Sequence, residues 1–368
     1  MDDSPYLRIV KTIDQSPLGA PKAGGSFSQA FIAYLKLIYS PEEANLVQHL
    51  RMPAKFTTVE EVAAASGQDR GEVQKVFNDL ARRNCILKMG DMCSLPTIPT
   101  LLNIHQFYPE KRPEDLEAIR LYKEFFIKEG YYKYYESSEK GTPVMRVVPV
   151  ERTIEHGQQV LKGEEALRLI DDLPGDQLAL VPCPCRTRTE KLGERECKEK
   201  NPVGACIMIG LPAVHFESIG LGKKVSREQA KGYLLEMQDL GLVATTENYK
   251  DPNHMIICLC CECCCSQTRG RTRWDNPNAL APSNFVPQAN EDCVLCGTCV
   301  DRCFFGALSL DEKAGRAVAN PEKCLGCGLC TITCPQEALK LQRVDRSLIY
   351  ETAKELFKKI ALENRGAA

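Results

Sequence analysis

Apolar positions recur at spacings of three and four residues in the first part of the chain. Those between Phe27 and Ile38 lie on one face of a predicted helix, and a second helix is predicted from Pro41 to Leu50. This periodicity indicates an amino-terminal region built mainly from packed helices.

Two further short helices are predicted, joined by a turn that contains glycine. Thr58 and Glu61 have the spacing of a capping box, and Gly67 ends the helix that the box begins. Another helix begins after Asp69, and residues 86–98 fold back around Gly90 as a hairpin. Two helices followed by a hairpin predict a winged-helix-like docking domain over residues 1–106.

The charge of the second helix of this pair bears on DNA binding. Residues 68–83 contain four basic and three acidic side chains, a net charge of +1. Phosphate neutralisation needs more positive charge, and the whole chain has a net charge of -2. We therefore expect docking to a protein or dimerisation, not DNA binding, and oligomer formation stays open.

Residues 107–182 are predicted to form a connecting α/β region. A helix is expected over residues 115–128, a strand over 144–150, a second helix over 164–173 and a second strand over 177–181. The fold class predicted for the whole chain is α+β.

The composition and the apolar runs indicate where the protein is located in the cell and what the cysteines bind. The chain has 368 residues, enough to bury a large core without disulfide bonds to stabilise it, yet it contains 20 cysteines. Met1–Pro5 is acidic and lacks the features of a signal peptide, and the longest apolar run, residues 255–265, is too short for a membrane helix. We expect a cytoplasmic protein without membrane insertion, in which clustered thiols stay reduced and bind metal.

Eight cysteines near the carboxyl end form two copies of the pattern C-x2-C-x2-C-x3-C, 31 residues apart. This is the bacterial two-cluster ferredoxin pattern, in which the fourth cysteine of each copy ligates the other cluster. We expect that fourth cysteine to open a short helix. Two 4Fe-4S clusters are therefore predicted in a domain over residues 286–343, and a terminal helix over 344–368. The predicted ligands are Cys293, Cys296, Cys299 and Cys334 for one cluster, and Cys324, Cys327, Cys330 and Cys303 for the other.

Ten more cysteines lie in a predicted central α/β domain, residues 183–285. Crowded thiolates repel one another, which favours bound metal. Alternating side chains allow Cys183 and Cys185 to converge from an extended strand, whereas the run from Cys258 to Cys265 must either bend or serve two sites. Five possibilities stay open for the content of this site: one 4Fe-4S cluster with spare thiols, two clusters, one larger cluster, zinc, or buried thiols without metal. We expect at least one further iron-sulfur cluster, with candidate ligands Cys183, Cys185, Cys197, Cys206, Cys258, Cys261, Cys263, Cys264 and Cys265.

The chain resembles a broad family of uncharacterised iron-sulfur proteins. The resemblance lies in Pro182–Arg186, Ile257–Cys265, Ala281–Phe285 and the two ferredoxin repeats. It implies a winged-helix-like amino terminus, a cysteine-rich centre, a carboxyl-terminal ferredoxin domain and electron transfer in anaerobic metabolism. Cys260 is left outside the candidate set, because the resemblance implies a variable, often polar residue there.

These observations favour an electron-transfer protein or oxidoreductase subunit that relays single electrons to and from protein redox partners, such as a larger oxidoreductase or a flavoprotein. Two alternatives are a reductase that uses the central cluster as its active site and a redox-sensing transcription factor. For the reductase, His215, His254 and Glu262 are candidate proton donors. Cys85 and Cys93, on either side of the Gly90 turn, are expected to be packing residues.

Overall fold

The computed structural model describes residues 4–160 and 162–365. Met1–Asp3, which carry the argument against a signal peptide, and the last three residues of the predicted terminal helix lie outside these ranges. Within them the protein is a mixed helix and sheet fold. No helix in this part of the chain is both long and apolar enough to span a bilayer.

The amino-terminal region consists mainly of packed helices and also contains two small sheets. Its helices are α1 (Pro5–Asp14), α2 (Gln29–Ile38), α3 (Pro41–Val47), α4 (Val59–Ser66), α5 (Arg70–Arg82) and α6 (Ile98–Leu101). Its strands are β1 (Lys22–Ala23), β2 (Ser26–Phe27), β3 (Thr57–Thr58), β4 (Leu87–Met89) and β5 (Met92–Ser94). β1 pairs with β2, and the other three form a sheet in the order β3-β5-β4.

Helices α4 and α5 of this region begin at the capping residues predicted from the sequence. Thr58 and Glu61 form the capping box of α4, and Gly67 ends that helix in the left-handed region at φ 69°. The side chain of Asp69 accepts hydrogen bonds from the first turn of α5. The predicted helix over 41–50 is confirmed but ends earlier, at Val47.

The middle region continues with helices and one strand. Its helices are α7 (Pro113–Tyr122), α8 (Tyr132–Glu136) and α9 (Ala166–Asp171), and its strand is β6 (Met145–Val147). The helix predicted over 115–128 changes to a π-helix at Lys123–Lys128, whose wider turn accompanies the burial of both Phe125 and Phe126.

A six-stranded antiparallel sheet forms the centre of the molecule. Its remaining strands are β7 (Leu178–Pro182), β8 (Ala205–Ile209), β9 (Lys223–Lys224), β10 (Val243–Glu247) and β11 (Ile256–Cys260), and the order is β6-β10-β11-β8-β7-β9. The helices of this region are α10 (Pro184–Leu192), α11 (Leu211–Ser218), α12 (Arg227–Leu240) and α13 (Thr268–Thr272). The connecting region thus contributes β6 and β7 to the central sheet.

The carboxyl-terminal region contains two strand pairs and two helices. Its elements are β12 (Phe285–Ala289), α14 (Thr298–Arg302), β13 (Leu308–Asp311), β14 (Arg316–Ala319), β15 (Leu339–Arg343) and α15 (Ala353–Arg365). β12 pairs with β15 and β13 with β14. Leu356 and Ile360 of α15 are fully buried and belong to the same core as the amino-terminal helices.

Glu136, at the end of α8, is a buried carboxyl group in this core. One of its oxygens accepts a hydrogen bond from Asn276 Nδ2 at 2.7 Å, while the other, within the described ranges, has no partner. Burial raises the pKa of Glu136 to about 9, against the opposing effects of Asn276 and Arg269. The carboxyl group is therefore protonated in the folded protein at neutral pH.

We expect Glu136→Gln to stabilise the protein above pH 5. The unfolded chain ionises this group near pH 4.5 while the folded protein holds the proton up to about pH 9, so stability falls as pH rises through this window. Gln is neutral in both states, and the linkage gain in free energy of unfolding reaches at most about 3 kcal/mol at pH 7.

Thermal melting between pH 4 and pH 8 tests this expectation. The difference in melting temperature between Glu136→Gln and the natural protein should grow with pH and vanish near pH 4. The same change at the exposed Glu312 serves as the matched control and should leave the melting curve unchanged at every pH. A pH-independent difference at Glu136 would contradict the account.

Candidate metal centres

Two cavities in the carboxyl-terminal region are each lined by four cysteines. Cys293, Cys296, Cys299 and Cys334 line the first cavity. Cys303, Cys324, Cys327 and Cys330 line the second. In each cavity, three cysteines come from one sequence repeat and the fourth comes from the other.

The walls of these cavities suit a cluster with sulfide ligands. Leu308, Leu325 and Leu329 are among the apolar residues around the second cavity. The backbone N–H groups of Gly326 and Ala307 donate to the sulfurs of Cys324 and Cys303 at 3.4 Å and 3.5 Å. Such donors stabilise negatively charged sulfur in an apolar surrounding.

Gly326 shows how closely the second cysteine loop fits its neighbours. Its φ is 66°, and a Cβ atom there would lie 2.1 Å from the carbonyl oxygen of Phe285 and 2.2 Å from Ser283 Oγ. Only glycine can occupy this position, because a side chain would meet backbone on the adjacent strand. The loop is thereby held against β12.

The two cavities differ in exposure. Cys296 beside the first cavity is exposed, and a hydrogen bond with Thr298 lowers the pKa of its thiol. Cys324 and Cys330 beside the second cavity are buried. The first cavity therefore lies near the surface and the second lies deeper in the protein.

The structure corrects one detail of the cysteine repeats. Cys303 does not open a helix: α14 ends at Arg302, and Cys303 follows it in extended conformation at ψ 91°. The short helix instead spans the third cysteine of the repeat, and the turn after it carries Cys303 to the second cavity.

The ten central cysteines divide into two groups on opposite sides of the sheet. Along β11, Ile257 and Leu259 pack into one hydrophobic cluster, and Ile256 and Cys258 pack into another. This is the alternation expected of a strand. The run from Cys258 to Cys265 therefore serves two places, one of the two possibilities that its spacing allows.

The first group contains six cysteines, which we call the six-thiol ring. Each thiol interacts with the next, and the last returns to the first. The order around the ring is Cys183, Cys185, Cys265, Cys260, Cys258 and Cys206. Cys260 and Cys265 are hydrogen-bonded with their sulfurs 3.1 Å apart.

Strand register brings two of the six ring cysteines together. β8 pairs with β11 so that Ile207 lies opposite Ile257, which places Cys206 and Cys258 as the next facing pair. Cys183 and Cys185 do not converge from an extended strand as expected. Cys183 instead precedes the first turn of α10 and Cys185 lies within it.

The second group contains Cys197, Cys261, Cys263 and Cys264, which we call the thiol tetrad. Its four sulfurs all lie within 4.8 Å of one another. In the described ranges, no other set of three or more Cys, His, Asp or Glu side chains is this tightly grouped. The tetrad residues are all buried in the cluster that also contains Ile257 and Leu259.

Two buried arginines from α10 place positive charge beside the ring. Burial alone would lower the pKa of Arg186, but the thiols of Cys183, Cys261 and Cys206 raise it overall. Arg188 likewise has a raised pKa, with burial opposed by Tyr122 and Cys185. Both guanidinium groups are therefore charged and can neutralise thiolates.

These arginines are held on their other sides by backbone and aromatic groups. Arg186 donates to the carbonyl oxygens of Val203 and Leu259, each at 2.6 Å, and Arg188 lies 3.7 Å from the centre of the Tyr122 ring. Arg186 Nη2 and Arg188 Nε are buried and, within the described ranges, have no hydrogen-bond partner. These two arginines near the ring therefore each keep one buried N–H donor without an acceptor among the described residues.

The proton donors considered from the sequence have other contacts. His254 is buried, stacks on Tyr249 and lies 2.9 Å from Thr246 Oγ1 through its Nδ1 atom. His215 lies 2.8 Å from Asn84 through its Nε2 atom. These histidines are packing and bridging residues in this structure. The side chain of Glu262 is partly exposed.

Cys85 and Cys93 belong to the amino-terminal core. Both are buried, and burial raises the pKa of each thiol to about 11. Strand pairing places Lys88, not Cys85, opposite Cys93. The two residues are packing residues, as expected.

Sequence reasoning missed one cysteine of the ring and two charged residues beside it. Cys260 was left out, yet its side chain interacts with those of Cys258 and Cys265. Side chains alternate along a strand, so Cys260 shares a face with Cys258 and could have been added to the candidate ligands on that ground. Arg186 ends the Pro182–Arg186 motif, but no role was predicted for it or for Arg188, because their burial depends on the packing of α10 against the sheet.

Comparison with known proteins identifies the carboxyl-terminal region. Residues 292–338 match the family described as the 4Fe-4S dicluster domain. This range contains all eight cysteines of the two repeats. The region is therefore a ferredoxin-type 4Fe-4S domain.

Three curated relatives cover short stretches of the chain. The polyferredoxin-like subunit of an aliphatic sulfonate oxidoreductase from Pyrococcus furiosus is 38% identical over 88 residues, 23% of this chain and 51% of that protein. Polyferredoxin protein MvhB from Methanothermobacter marburgensis is 40% identical over 74 residues, 16% of this chain and 18% of the other. An archaeal-type glutamate synthase (NADPH) from Thermotoga maritima is 37% identical over 65 residues, 17% of this chain and 13% of that protein.

The chain spans about half the length of the first of these relatives and less of the other two. No solved structure matches it. The family match covers residues 292–338, and the amino-terminal and central regions are interpreted from their own residues.

The crossed sets of cysteines can be tested by counting iron in pairs of variants. We expect Cys296→Ala and Cys334→Ala each to remove one cluster, and the double variant still to lose only about four iron atoms, because both residues serve the same cluster. Cys330→Ala combined with Cys334→Ala should lose about eight, because these residues serve different clusters.

Anaerobically purified full-length protein is the sample, with Cys85→Ala as a control for a buried thiol outside the cavities. The opposite result, about eight iron atoms lost with Cys296 and Cys334 and about four lost with Cys330 and Cys334, would show that each repeat binds its own cluster.

Proposed function

We propose that this protein is an iron-sulfur electron-transfer subunit. It relays single electrons through two ferredoxin-type clusters to a further iron-sulfur centre in the six-thiol ring. The division of eight cysteines between two cavities, inside a region that matches the 4Fe-4S dicluster family, carries this proposal. The predicted ligand sets given above are part of it.

The first cavity is the proposed point of exchange with a protein redox partner. Val294 and Leu310 line this cavity beside the exposed Cys296. Val294 is 61% exposed to solvent and Leu310 is 40% exposed. Apolar residues around an accessible cluster suit transient docking of another protein. A larger oxidoreductase or a flavoprotein is the proposed partner class, as expected from the sequence.

The second cavity is the proposed link to the interior. Val150 N–H donates to the carbonyl oxygen of Cys327 at 3.0 Å, and Ser283 N–H donates to that of Leu325 at 3.0 Å. The residue two positions before each donor adjoins β6: Val148 follows this strand directly, and Ala281 bridges to Arg146 within it. The deeper cluster is thereby fixed to the sheet that carries the six-thiol ring.

The six-thiol ring is the proposed site of the further cluster. Hydrogen bonds from the thiols of Cys183 and Cys258 lower the pKa of Cys206, which favours thiolate at this position of the ring. Arg186 and Arg188 supply compensating charge and unused donors. Six thiols exceed the four that one cubane takes, so a cluster larger than a cubane fits this donor set.

The amino-terminal region is the proposed docking module. Its helix pair and three-stranded sheet have the order of elements expected of a winged helix. On α5, Lys75 and Arg82 pair with Glu72 and Asp79 at 2.7 Å and 3.0 Å. Basic groups already paired with carboxylates favour a protein partner over the phosphates of DNA.

The central experiment for this proposal is an anaerobic electron count. Full-length protein should accept at least three electrons per chain on stepwise reduction, one for each ferredoxin-type cluster and one or more for the ring. The double variant Cys206→Ala/Cys258→Ala should accept two, with the electron paramagnetic resonance signals of the ferredoxin-type clusters retained.

Cys85→Ala/Cys93→Ala is the matched control, since it removes two buried thiols outside the proposed sites. Equal electron and iron counts for the natural protein and the Cys206→Ala/Cys258→Ala variant would remove the further centre from the account. Absence of reducible iron in the natural protein would refute the electron-transfer function as a whole.

A further inference from the structure

The thiol tetrad has dimensions that differ from those of the other cysteine groups. The sulfur of Cys197 lies 3.8 Å from those of both Cys261 and Cys264. The sulfur of Cys263 lies 3.9 Å from Cys261 and 3.3 Å from Cys264. Four sulfurs at such mutual distances occupy the corners of a small tetrahedron.

A tetrahedron of this size matches one metal ion. With a metal–sulfur bond of about 2.3 Å, tetrahedral geometry separates the sulfurs by about 3.8 Å. In a cubane, each thiolate binds a different iron at a separate corner of the cube, so the thiolate sulfurs stand farther apart. The ferredoxin-type cysteines have this wider spacing: among the described residues, no three of them fall within the 4.8 Å that encloses the tetrad.

The tetrad is closed to solvent and to substrate. Cys261 and Cys264 are fully buried, and Cys197 and Cys263 have only 2% and 5% of their surfaces exposed to solvent. Thr189 Oγ1 donates to the sulfur of Cys264 at 3.0 Å. Four protein thiolates fill all positions of a tetrahedral ion, which is the arrangement of structural zinc.

Positive charge lies beside the tetrad as well. Arg186 interacts with Cys261, and Arg273 interacts with Cys263 and Cys264. Four thiolates and one divalent cation carry a net charge of two minus. Arg186, which also lies beside the ring, and Arg273, which also pairs with Glu196, offset part of this charge.

We infer that Cys197, Cys261, Cys263 and Cys264 bind one zinc ion as a structural site, separate from every iron-sulfur centre of this protein. Binding forms four zinc–sulfur bonds and releases the protons still held by the four thiols, with no change in oxidation state. The zinc fixes residues 261–264, which are flanked by Cys260 and Cys265 of the six-thiol ring. Metal in the tetrad therefore holds two ring cysteines in place from the opposite side of the sheet.

The zinc site is independent of the electron-transfer proposal, because it uses none of the ferredoxin-type or ring cysteines. Its test begins with the natural full-length protein, purified anaerobically from cells supplied with both iron and zinc. Metal analysis should give one zinc per chain, and X-ray absorption at the zinc edge should show four sulfur neighbours at about 2.3 Å. This measurement requires no variant and so does not depend on the folding of one.

Cys197→Ala is the variant for the second arm, because Cys197 lies outside the 258–265 run and contributes to the tetrad alone. It should lose the zinc completely, whereas the matched control Cys85→Ala should retain it. Loss of four iron and four sulfide from Cys197→Ala, with no zinc in the natural protein, would overturn the inference in favour of a cubane. A single sulfide-free iron bound by the tetrad would overturn the assignment to zinc.

Iron counts distinguish failure of this inference from failure of the proposed function. If zinc is present and the ring holds no iron, the structural site stands and only the proposed further cluster is lost. If zinc is present and the protein holds no reducible iron, the structural site stands and the electron-transfer function fails. If the ring holds iron and the tetrad holds no zinc, the relay stands and the zinc assignment is wrong.

Discussion

The alternation of side chains along β11 is the constraint on which the central region depends. Cys258 and Cys260 face one side of the sheet, and Ile257, Leu259 and the following Cys261 face the other. A strand cannot direct neighbouring side chains to the same face. The ten central thiols are consequently divided into two groups, one on each side of the sheet.

Helix α10 completes this division, because it provides residues to both sides. Cys183 and Cys185 enter the ring from its first turn, Thr189 donates to the tetrad, and Arg186 lies near thiols of both groups. Pro184 suits the first position of that helix, where its missing N–H costs nothing. The same segment therefore positions ligands and neutralises their charge, which couples the fold of the centre to its metal content.

The sequence predicted the parts that depend on local chemistry. The capping box at Thr58, the helix stop at Gly67 and the spacing of the ferredoxin-type cysteines are all short-range patterns, and α4 and the 4Fe-4S domain were predicted from them. The grouping of the central cysteines depends instead on the pairing of β8 with β11 and on the helix at Pro184. Neither can be read from spacing. The ring membership of Cys260 was missed for another reason, because the resemblance implies a variable residue at that position.

Anomalous diffraction from crystals of the anaerobic full-length protein, at the iron and zinc edges, tests the division of the thiols most directly. The account predicts iron in the two carboxyl-terminal cavities and in the six-thiol ring, and a single zinc peak between Cys197 and Cys263. Iron in the tetrad, or a ring without metal, would contradict the central claim that one sheet separates a redox centre from a structural site.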